Sequence, residues 1–445
     1  MRYLPHTSED IESMLDIIGH KTLDNLFDTI PENLRTKDGI TLPDSLSEWD
    51  LNAHMEMLAK KNYAANPYTC FMGAGSYDHY IPAIVPYLIS RSEFMTAYTP
   101  YQPEISQGTL QGIYEFQTMI THLLGMDIAT ASHYDGGTAL AEAALISLRN
   151  HKTASTVAVS RLTHPHHRHI IKTYLRPTRF KIIEIPYNTD GTTDLKALGK
   201  MDDLAGICIQ SPNFFGHIED LERIRHIATA KEAMMVTSFT EALAYGLLKS
   251  PGSFGTDIAA GEGQSLGISQ SFGGPGLGLL AGTTKQMRNL PGRLVGKTTD
   301  TKGRRGYVLT LATREQHIRR EKASSNICSN NGLCAMTAGI YLATLGKIGI
   351  RKIAQLNHDK AAYLKAALTR SGFTPVFDSP FFNEFVMKVP ENFRKKRTDL
   401  LKNKHMLAGI ALEPFYPELE NHYLFCATET VSKEHMDRLA MEVQK

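Results

Sequence analysis

Gly206-Ile207-Cys208-Ile209 and Met234-Met235-Val236-Thr237 are two short, mostly apolar runs, and the residues between them, Leu221–Ala230, have the periodicity of a helix. An apolar run, a helix and a second apolar run predict a βαβ unit with two parallel strands. The alternation continues outward, from about residue 126 to residue 310, with further strand-like runs at Val157–Val159, Ile182–Ile185, Ile258–Ala260 and Gly278–Ala281. The sequence therefore predicts an α/β domain built on a mostly parallel sheet.

The two ends of the chain have other patterns. Near the start, apolar residues recur at helical spacing at Ile11, Met14, Leu15 and Ile18. After residue 335, a long helical pattern leads to the strand-like run Glu384–Val389 and a closing helix near residues 433–443. We therefore predict a helical arm over residues 1–65, a large α/β domain over 66–330 and a small C-terminal α+β domain over 331–445. So apolar an arm is expected to pack on a neighbouring subunit.

Composition narrows the classes of function. The chain has 445 residues, 42% of them hydrophobic, and a formal net charge of +2, so neither a nucleic acid nor a membrane is an expected partner. Its five cysteines are scattered, without a Cys-x-x-Cys pair, which indicates a reducing, cytoplasmic location. The start of the chain lacks the apolar core of a signal peptide, and no apolar run is long enough to predict a spanning helix.

Four clustered histidines, His164, His166, His167 and His169, suggest a metal site at first reading. Pro165 separates the first from the others, and no carboxylate or thiolate accompanies them. Such clusters are usually solvated histidines with one hydrogen-bonded member, so we expect no metal.

Three other segments could carry chemistry, and each has a plainer interpretation. Asp135-Gly136-Gly137-Thr138 opens a helix, and it is either a phosphate cradle or a simple glycine turn capped by Thr138. Ser211–Gly216 follows a strand, where open α/β sheets bind ligands. Tyr98–Gln107, which we call the rod, is stiffened by two prolines. It is either a surface loop or a support for hydrogen-bonding groups near a ligand.

Together and in this order, these residues resemble the P-protein family of the glycine cleavage system. The similarity is greatest to the alpha chain (subunit 1) of members that are split into two chains, and it extends over nearly the whole sequence. The most specific segments are Met72–Tyr77, Tyr98–Leu110, Ser132–Glu142, Gln210–Asp220 and Arg293–Cys328.

The resemblance implies the fold type I architecture of pyridoxal-phosphate (PLP) enzymes: a mostly parallel seven-stranded sheet with helices on both faces, and a small C-terminal α+β domain. Members of the family act as glycine dehydrogenase (aminomethyl-transferring). They decarboxylate glycine and pass the aminomethyl group to the lipoate of H-protein. In the split form, the resemblance implies an α2β2 heterotetramer in which the beta chain carries the PLP-binding lysine and the alpha chain alone is inactive.

One residue of this chain departs from a working PLP site. Counting back from Gly273-Gly274-Pro275 places Gln264 where the family has its lysine, and no lysine occurs between Lys249 and Lys285. A glutamine amide cannot form the Schiff base that PLP chemistry needs. The resemblance therefore implies that the cofactor-binding lysine is not in this chain.

A second departure is expected at the neighbouring strand. Met234–Val236 runs into Thr237-Ser238-Phe239-Thr240, so we expect no carboxylate where the pyridinium nitrogen of PLP would be paired. An independent PLP enzyme that uses Lys285 or Lys322 is a remaining alternative.

In the family, the rod lies near the active site at the subunit interface. Carried over, the resemblance implies that six residues of this chain reach into the beta chain's site: Tyr98, Thr99, Tyr101, Gln102, Glu104 and Ser106. The tyrosines and the glutamine would position substrate and cofactor, and Glu104 would act as an acid or base or would anchor the loop. The rival hypothesis is a silent structural partner that stabilises the beta chain and contributes no active-site atoms.

Overall fold

The computed structural model describes residues 5–36, 39, 41–63 and 68–444. Its α-helices are α1 (Ser8–Ile18), α2 (Glu48–Ala59), α3 (Ile84–Ile89), α4 (Ser92–Met95), α5 (Gln107–Leu124), α6 (Gly136–Asn150), α7 (Pro165–Leu175), α8 (Leu195–Gly199), α9 (Leu221–Ala230), α10 (Gln316–Arg319), α11 (Gly332–Arg370), α12 (Phe393–Lys404) and α13 (Lys433–Gln444). Its strands are β1 (Thr69–Phe71), β2 (Ile128–Ala129), β3 (Thr156–Ser160), β4 (Lys181–Ile185), β5 (Leu204–Gln210), β6 (Met234–Phe239), β7 (Ile258–Glu262), β8 (Gly278–Gly282), β9 (Leu294–Thr299), β10 (Arg305–Thr310), β11 (Thr374–Pro375), β12 (Glu384–Lys388), β13 (Met406–Ala408), β14 (Ile410–Ala411) and β15 (His422–Cys426). The chain divides after Tyr63 into two units, whereas the domain boundary expected near residue 330 stays a prediction.

The larger unit contains a seven-stranded sheet with the order β2-β8-β7-β6-β5-β3-β4. Strands β3 to β7 pair in parallel, and β8 runs antiparallel to both of its neighbours. The predicted βαβ unit consists of β5, α9 and β6, with Cys208 opposite Val236. The predicted mostly parallel, seven-stranded sheet is therefore confirmed.

Side chains along each strand alternate between the two faces of this sheet, because successive residues of a strand point to opposite sides. Val157 and Val159 pack with Ile171 of α7 in one apolar cluster. Ala158, between them, belongs to a second cluster with Ile224 of α9. Helices therefore cover both faces, as predicted, and the ligand-binding groups of the sheet are restricted to its edges.

The C-terminal part has a separate four-stranded antiparallel sheet with the order β11-β12-β15-β14. Phe385 of β12 lies opposite Phe425 of β15, and the two rings stack with their centroids 6.2 Å apart. Phe373 and Phe393 meet edge to face in the same apolar cluster, at a centroid distance of 5.1 Å. This aromatic core joins the sheet to its helices in the α+β arrangement that the sequence predicts.

Helix α11 is interrupted at Gly346, where the backbone is non-helical with φ 58° and ψ −176°. The interruption separates the two helical patterns seen in the sequence. Within the described ranges, α11 is the one helix long and apolar enough to cross a membrane by length and composition alone. Its Ala338 and Tyr341 are fully buried in a cluster with Phe116 of α5.

The N-terminal unit begins with α1, which follows a capping box between Thr7 and Asp10 and ends at Gly19 with φ 75°. Leu15 is its buried residue, whereas Ile17 is 83% and Ile18 is 55% exposed. Apolar side chains of α1 and of the turn after it line an open groove of about 550 Å³. An exposed apolar stripe this wide on a helix is typical of a contact surface.

We predict that replacing Ile17 and Ile18 together by serine weakens association with the partner chain that the resemblance implies. Full burial of one such side chain stabilises by about 1.5–3 kcal/mol, so the dissociation constant should rise by about tenfold or more. Sedimentation velocity of the mixed chains measures it. Glu12→Gln, an exposed change on the same helix, is the matched control, and equal affinity in all three proteins would make the arm incidental.

Candidate functional site

The parallel strands β3, β5, β6 and β7 all end at one side of the central sheet, which we call the carboxyl edge. Open α/β sheets bind ligands at this edge. Four segments follow these strands there: His164, the turn Ser211–Gly216, Glu241 and Gln264. The candidate site is therefore built from loops that rigid strands position.

Gln264 lies two residues beyond the end of β7 and is buried. Its Oε1 accepts a hydrogen bond from the Tyr77 N–H at 3.0 Å. Its Nε2 donates to the Tyr77 carbonyl at 3.1 Å and to the Ile268 carbonyl at 2.6 Å. The side chain at the expected lysine position is thus fully engaged with backbone groups and offers no amine for a Schiff base.

The alternative lysine Lys285 lies at the other side of the sheet. Strand β8 begins with Gly278 opposite Glu262, at the carboxyl edge, and ends with Gly282 opposite Ile258. Lys285 follows the end of β8, so it is separated from the carboxyl edge by the length of a strand.

Glu262 occupies the anion position at the start of α6. Its Oε2 accepts from the Gly136 N–H at 2.8 Å. Its Oε1 accepts from three further backbone N–H groups at 2.7–3.1 Å, those of Gly263, Gln264 and Leu277. Burial raises the pKa of Glu262, and these donors oppose the shift. A carboxyl group of the chain itself thus takes the place that a phosphate would have at this helix N-terminus.

The helix α6 is capped by Asp135 and not by Thr138, which was the cap expected for a simple glycine turn. Asp135 Oδ1 accepts from the Thr138 N–H at 2.7 Å, and Thr138 Oγ1 accepts from the Asp135 N–H at 3.3 Å. This reciprocal capping box uses another of the free N–H groups of the first turn.

The segment Met72–Tyr80, which we call the edge loop, lies across the carboxyl edge. His164 Nε2 is 3.0 Å from the Ala74 carbonyl, and the Ala74 N–H donates to Glu384 Oε1 at 2.6 Å. Tyr77 Oη donates to Glu384 Oε2 at 2.8 Å. Burial raises the pKa of Glu384 to about 7. The edge loop is therefore held between the central sheet and β12.

The expectation that no carboxylate stands where the pyridinium nitrogen of PLP would be paired stays a prediction, but a carboxylate does follow β6. The strand continues to Phe239, and Glu241 comes two residues later. Glu241 Oε2 is 2.8 Å from His79 Nε2, and Glu429 Oε2 is 2.9 Å from His79 Nδ1. Burial lowers the pKa of His79, but the two carboxylates outweigh this effect and raise it to about 10. A cationic ring of the edge loop is thus paired with a carboxylate that follows β6.

These contacts decide how well the carboxyl edge suits PLP. Glu262 takes the anion position, Gln264 stands at the position where a lysine was expected, and the carboxylate of Glu241 is paired with His79. The edge loop adds the Tyr77 hydroxyl beside Thr240, with 3.1 Å between the two oxygens. The residues present do not fit a covalently bound PLP, because the chain's own groups already make the contacts that the cofactor would need.

The histidine cluster belongs to the same packed edge. The His164 ring lies 4.8 Å from that of His167 and 5.0 Å from that of Phe214, measured between centroids. A Cβ on Gly75 would lie 3.2 Å from the His164 ring, and the φ of 90° at this residue also favours glycine. Burial lowers the pKa of His164 to about 3. In the part of the chain that the structure describes, no three His, Cys, Asp or Glu side chains could hold a metal together.

The rod forms a second and more open feature of the larger unit. Tyr98 is 82% exposed, and it lines a cavity of about 330 Å³ together with Thr99. Tyr101 is 57% exposed and contacts the His317 ring edge-on at 6.4 Å. Gln102 and Glu104 are exposed, and Ser106 is the residue before α5. The six expected site residues therefore share one segment, but only Tyr98 and Thr99 line the cavity.

The other wall of this cavity was missed from the sequence. Ser329, Asn330 and Asn331 line it at the start of α11. Asn331 Nδ2 donates to the carbonyls of Tyr134 and Gly276 at 2.8 and 2.6 Å. The three consecutive polar residues before a long apolar helix were the available signal, since polar loop residues at a helix start often line sites.

Known proteins resemble the chain over its whole length. Residues 1–443 match the family model described as glycine cleavage system P-protein. A protein of Desulfotalea psychrophila named probable glycine dehydrogenase (decarboxylating) subunit 1 is 54% identical over 445 residues, which cover 100% of this chain and 99% of that protein. A crystal structure of glycine decarboxylase (P-protein) of the glycine cleavage system, in inhibitor-bound form, is 40% identical with a TM-score of 0.89 and covers 100% of this chain and 99% of that one.

A more distant structure shares the fold. The apo structure of cysteine desulfurase from Thermococcus onnurineus NA1 has 14% identity and a TM-score of 0.64, and covers 85% of this chain and 94% of that one. The expected fold type I architecture is confirmed by these likenesses and by the sheet order.

We predict that His79→Gln destabilises the chain strongly near pH 7 and less at higher pH. Removing the cation leaves two buried carboxylates unpaired, which costs about 3–5 kcal/mol. The folded pKa of His79, about 10, lies above its ordinary 6.5. The stabilisation is therefore fully present below pH 6.5 and is lost as the pH rises through about 10.

Urea unfolding of the wild type and of His79→Gln at pH 7, 8.5 and 10 measures this effect. The difference in free energy of unfolding should shrink across the series. A difference that stays constant with pH would show that His79 is neutral in the folded chain.

Proposed function

The chain belongs to the glycine cleavage system P-protein family, and we propose that it completes an active site whose PLP is bound by a partner chain. Like its relatives named glycine dehydrogenase (decarboxylating) subunit 1, it is a subunit of the enzyme that decarboxylates glycine. PLP is the cofactor of that enzyme. The proposal concerns the division of labour between the two chains.

The observation that carries the proposal is the engagement of Gln264 by the Tyr77 backbone. It is supported by Glu262, which fills the anion position of α6. A chain with its lysine replaced and its phosphate position occupied needs another chain to supply the Schiff base. We infer that this chain is the beta subunit of the same enzyme, in an α2β2 heterotetramer.

The remaining parts of the reaction follow from this assignment. The substrate is glycine, and the acceptor of the aminomethyl group is the lipoate carried by H-protein. We place the assembly in the cytoplasm, and this chain alone is inactive.

The chain's own contribution comes from the rod. Its exposed polar groups stand on a backbone stiffened by Pro100 and Pro103. Gln107 fixes the end of the rod, because its Nε2 donates to the Tyr307 carbonyl and its Oε1 accepts from the Tyr307 N–H, both at 2.9 Å. A stiff, anchored segment loses little entropy when it meets a partner, so it suits the placing of hydrogen bonds in a shared site.

We assign roles along the rod accordingly. Tyr98, Tyr101 and Gln102 orient glycine and the partner's cofactor, and Thr99 and Ser106 support the rod's shape. Glu104 is exposed, so it reaches the shared site as an acid or base or anchors the rod to the partner. The rival hypothesis, a silent structural partner, gives none of these side chains a role in turnover.

We predict that Tyr101→Phe and Gln102→Ala each lower turnover of the assembled enzyme by roughly a hundredfold, because each removes one positioned hydrogen-bonding group near a reacting centre. A change in an exposed loop without such a role shifts stability by no more than about 0.5 kcal/mol. Glycine decarboxylation at saturating H-protein is measured after equal melting temperature and PLP content are established for each complex.

The matched control is Tyr87→Phe, which removes the hydroxyl of another exposed tyrosine, on α3 and outside the rod. It should retain wild-type turnover. Wild-type turnover in both rod variants would instead favour the silent structural partner.

We also predict that Gln264→Lys does not turn the isolated chain into an enzyme. The new amine would still face Glu262 in the anion position and the edge loop over the carboxyl edge, and catalysis needs the whole preorganised shell. The isolated variant, incubated with PLP, should lack the visible absorbance of an internal aldimine. A yellow, borohydride-reducible protein that decarboxylates glycine would contradict the division of labour.

A further inference from the structure

Arg293 lies behind the rod and is almost fully buried, with 4% of its surface exposed. It stands between Gly292, whose φ is 83°, and the first residue of β9. Its carbonyl accepts from the Ala131 N–H at 2.9 Å, just beyond the end of β2. The central sheet therefore fixes the backbone from which this guanidinium extends.

The guanidinium makes four hydrogen bonds, all to segments that border the cavity or the rod. Nη2 donates to Tyr101 Oη and to the Cys328 carbonyl, both at 2.9 Å. Nη1 donates to Ser329 Oγ at 3.0 Å and to Asn330 Oδ1 at 3.1 Å. One planar group thus holds the rod and the opposite cavity wall in a fixed relation.

The contact with Tyr101 has a direction. The guanidinium has no acceptor, so Tyr101 Oη must accept in this bond, and its own O–H proton is free to point elsewhere. The guanidinium carbon also lies 5.3 Å from the centroid of the Tyr101 ring, which holds the ring plane as well. Tyr101 is 57% exposed, so a partner group can approach its side chain.

We propose that Arg293 is a positioning residue that fixes the direction in which the Tyr101 O–H donates a hydrogen bond into the shared active site. Tyr101 touches the substrate or the partner's cofactor, and Arg293 acts through it. The inference rests on the proposed function of the rod, and it assigns a role to a residue outside the rod.

Arginine is required by this geometry. Two nitrogens of one rigid plane reach four acceptors on two segments, whereas a lysine ammonium is a single flexible point donor. Arg293→Lys keeps the buried charge but cannot hold the Tyr101 hydroxyl and the 328–330 segment at once. We therefore expect Tyr101 to lose its orientation while the fold persists.

A double-mutant cycle in the assembled enzyme tests the proposal with Arg293→Lys, Tyr101→Phe and the double variant. Both single changes should lower kcat by roughly a hundredfold, with the KM for H-protein, PLP content and melting temperature close to wild type. The double variant should be no slower than Tyr101→Phe alone. Arg305→Lys, an exposed arginine over the Tyr307 ring, is the matched control and should retain wild-type turnover.

Two results would overturn the proposal while leaving the role of the rod intact: wild-type kcat in Arg293→Lys when Tyr101→Phe is slow, or a double variant slowed by the product of the single effects. Wild-type kcat in Tyr101→Phe would instead overturn the proposed function. If Arg293→Lys does not assemble, Ser329→Ala replaces it in the cycle. The proposal is supported if Ser329→Ala lowers kcat in the wild type but not in the Tyr101→Phe background. It is overturned if Ser329→Ala does not lower kcat, or lowers it equally in both backgrounds.

Discussion

The hydrogen bonds between the Gln264 side chain and the Tyr77 backbone are the interaction on which the carboxyl edge depends. They join the loop after β7 to the edge loop, and the edge loop in turn brings Tyr77, Ala74 and His79 to their partners. An amide suits this task because it donates and accepts at once, as a backbone group does. A lysine ammonium at the same position could only donate, so it could not make both hydrogen bonds to the Tyr77 backbone.

The buried charges of the edge are compensated locally. Glu262 has four backbone donors, and His79 has a carboxylate on each ring nitrogen. Burying unpaired charges would be costly, and hydrogen-bonded pairs with good geometry avoid most of that cost. The edge therefore keeps the polar character of a binding site while the charges of Glu262 and His79 are satisfied by groups of the chain.

The central fold could be predicted from the sequence because it rests on local patterns. Alternating apolar runs and helical periods, such as those around β5, α9 and β6, specify a parallel sheet without knowledge of distant contacts. The absence of lysine between Lys249 and Lys285 was also readable from the sequence, and the assignment of Gln264 to the lysine position stays a prediction. Glu241 was missed because β6 continues past its apolar run through Thr237 and Ser238, which are polar but buried.

The partners of the candidate residues could not be predicted, because they are far apart in sequence. Tyr77 and Gln264 are 187 residues apart, and Tyr101 and Arg293 are 192 apart. Local periodicity carries no information on such pairs. The stiffness of the rod is a local property and was predictable from its prolines. The guanidinium of Arg293 contacts the rod from a distant part of the sequence, so its role was not predictable.

The contacts within the carboxyl edge have a consequence for how the stability of the chain depends on ligand concentration. A protein that binds a cofactor only when folded gains stability in proportion to the logarithm of the free cofactor concentration. Here the groups that make the contacts belong to the same polypeptide, so their effective concentration does not depend on metabolism. The hydrogen bonds of the carboxyl edge therefore form at the same effective concentration whether a free ligand is scarce or abundant.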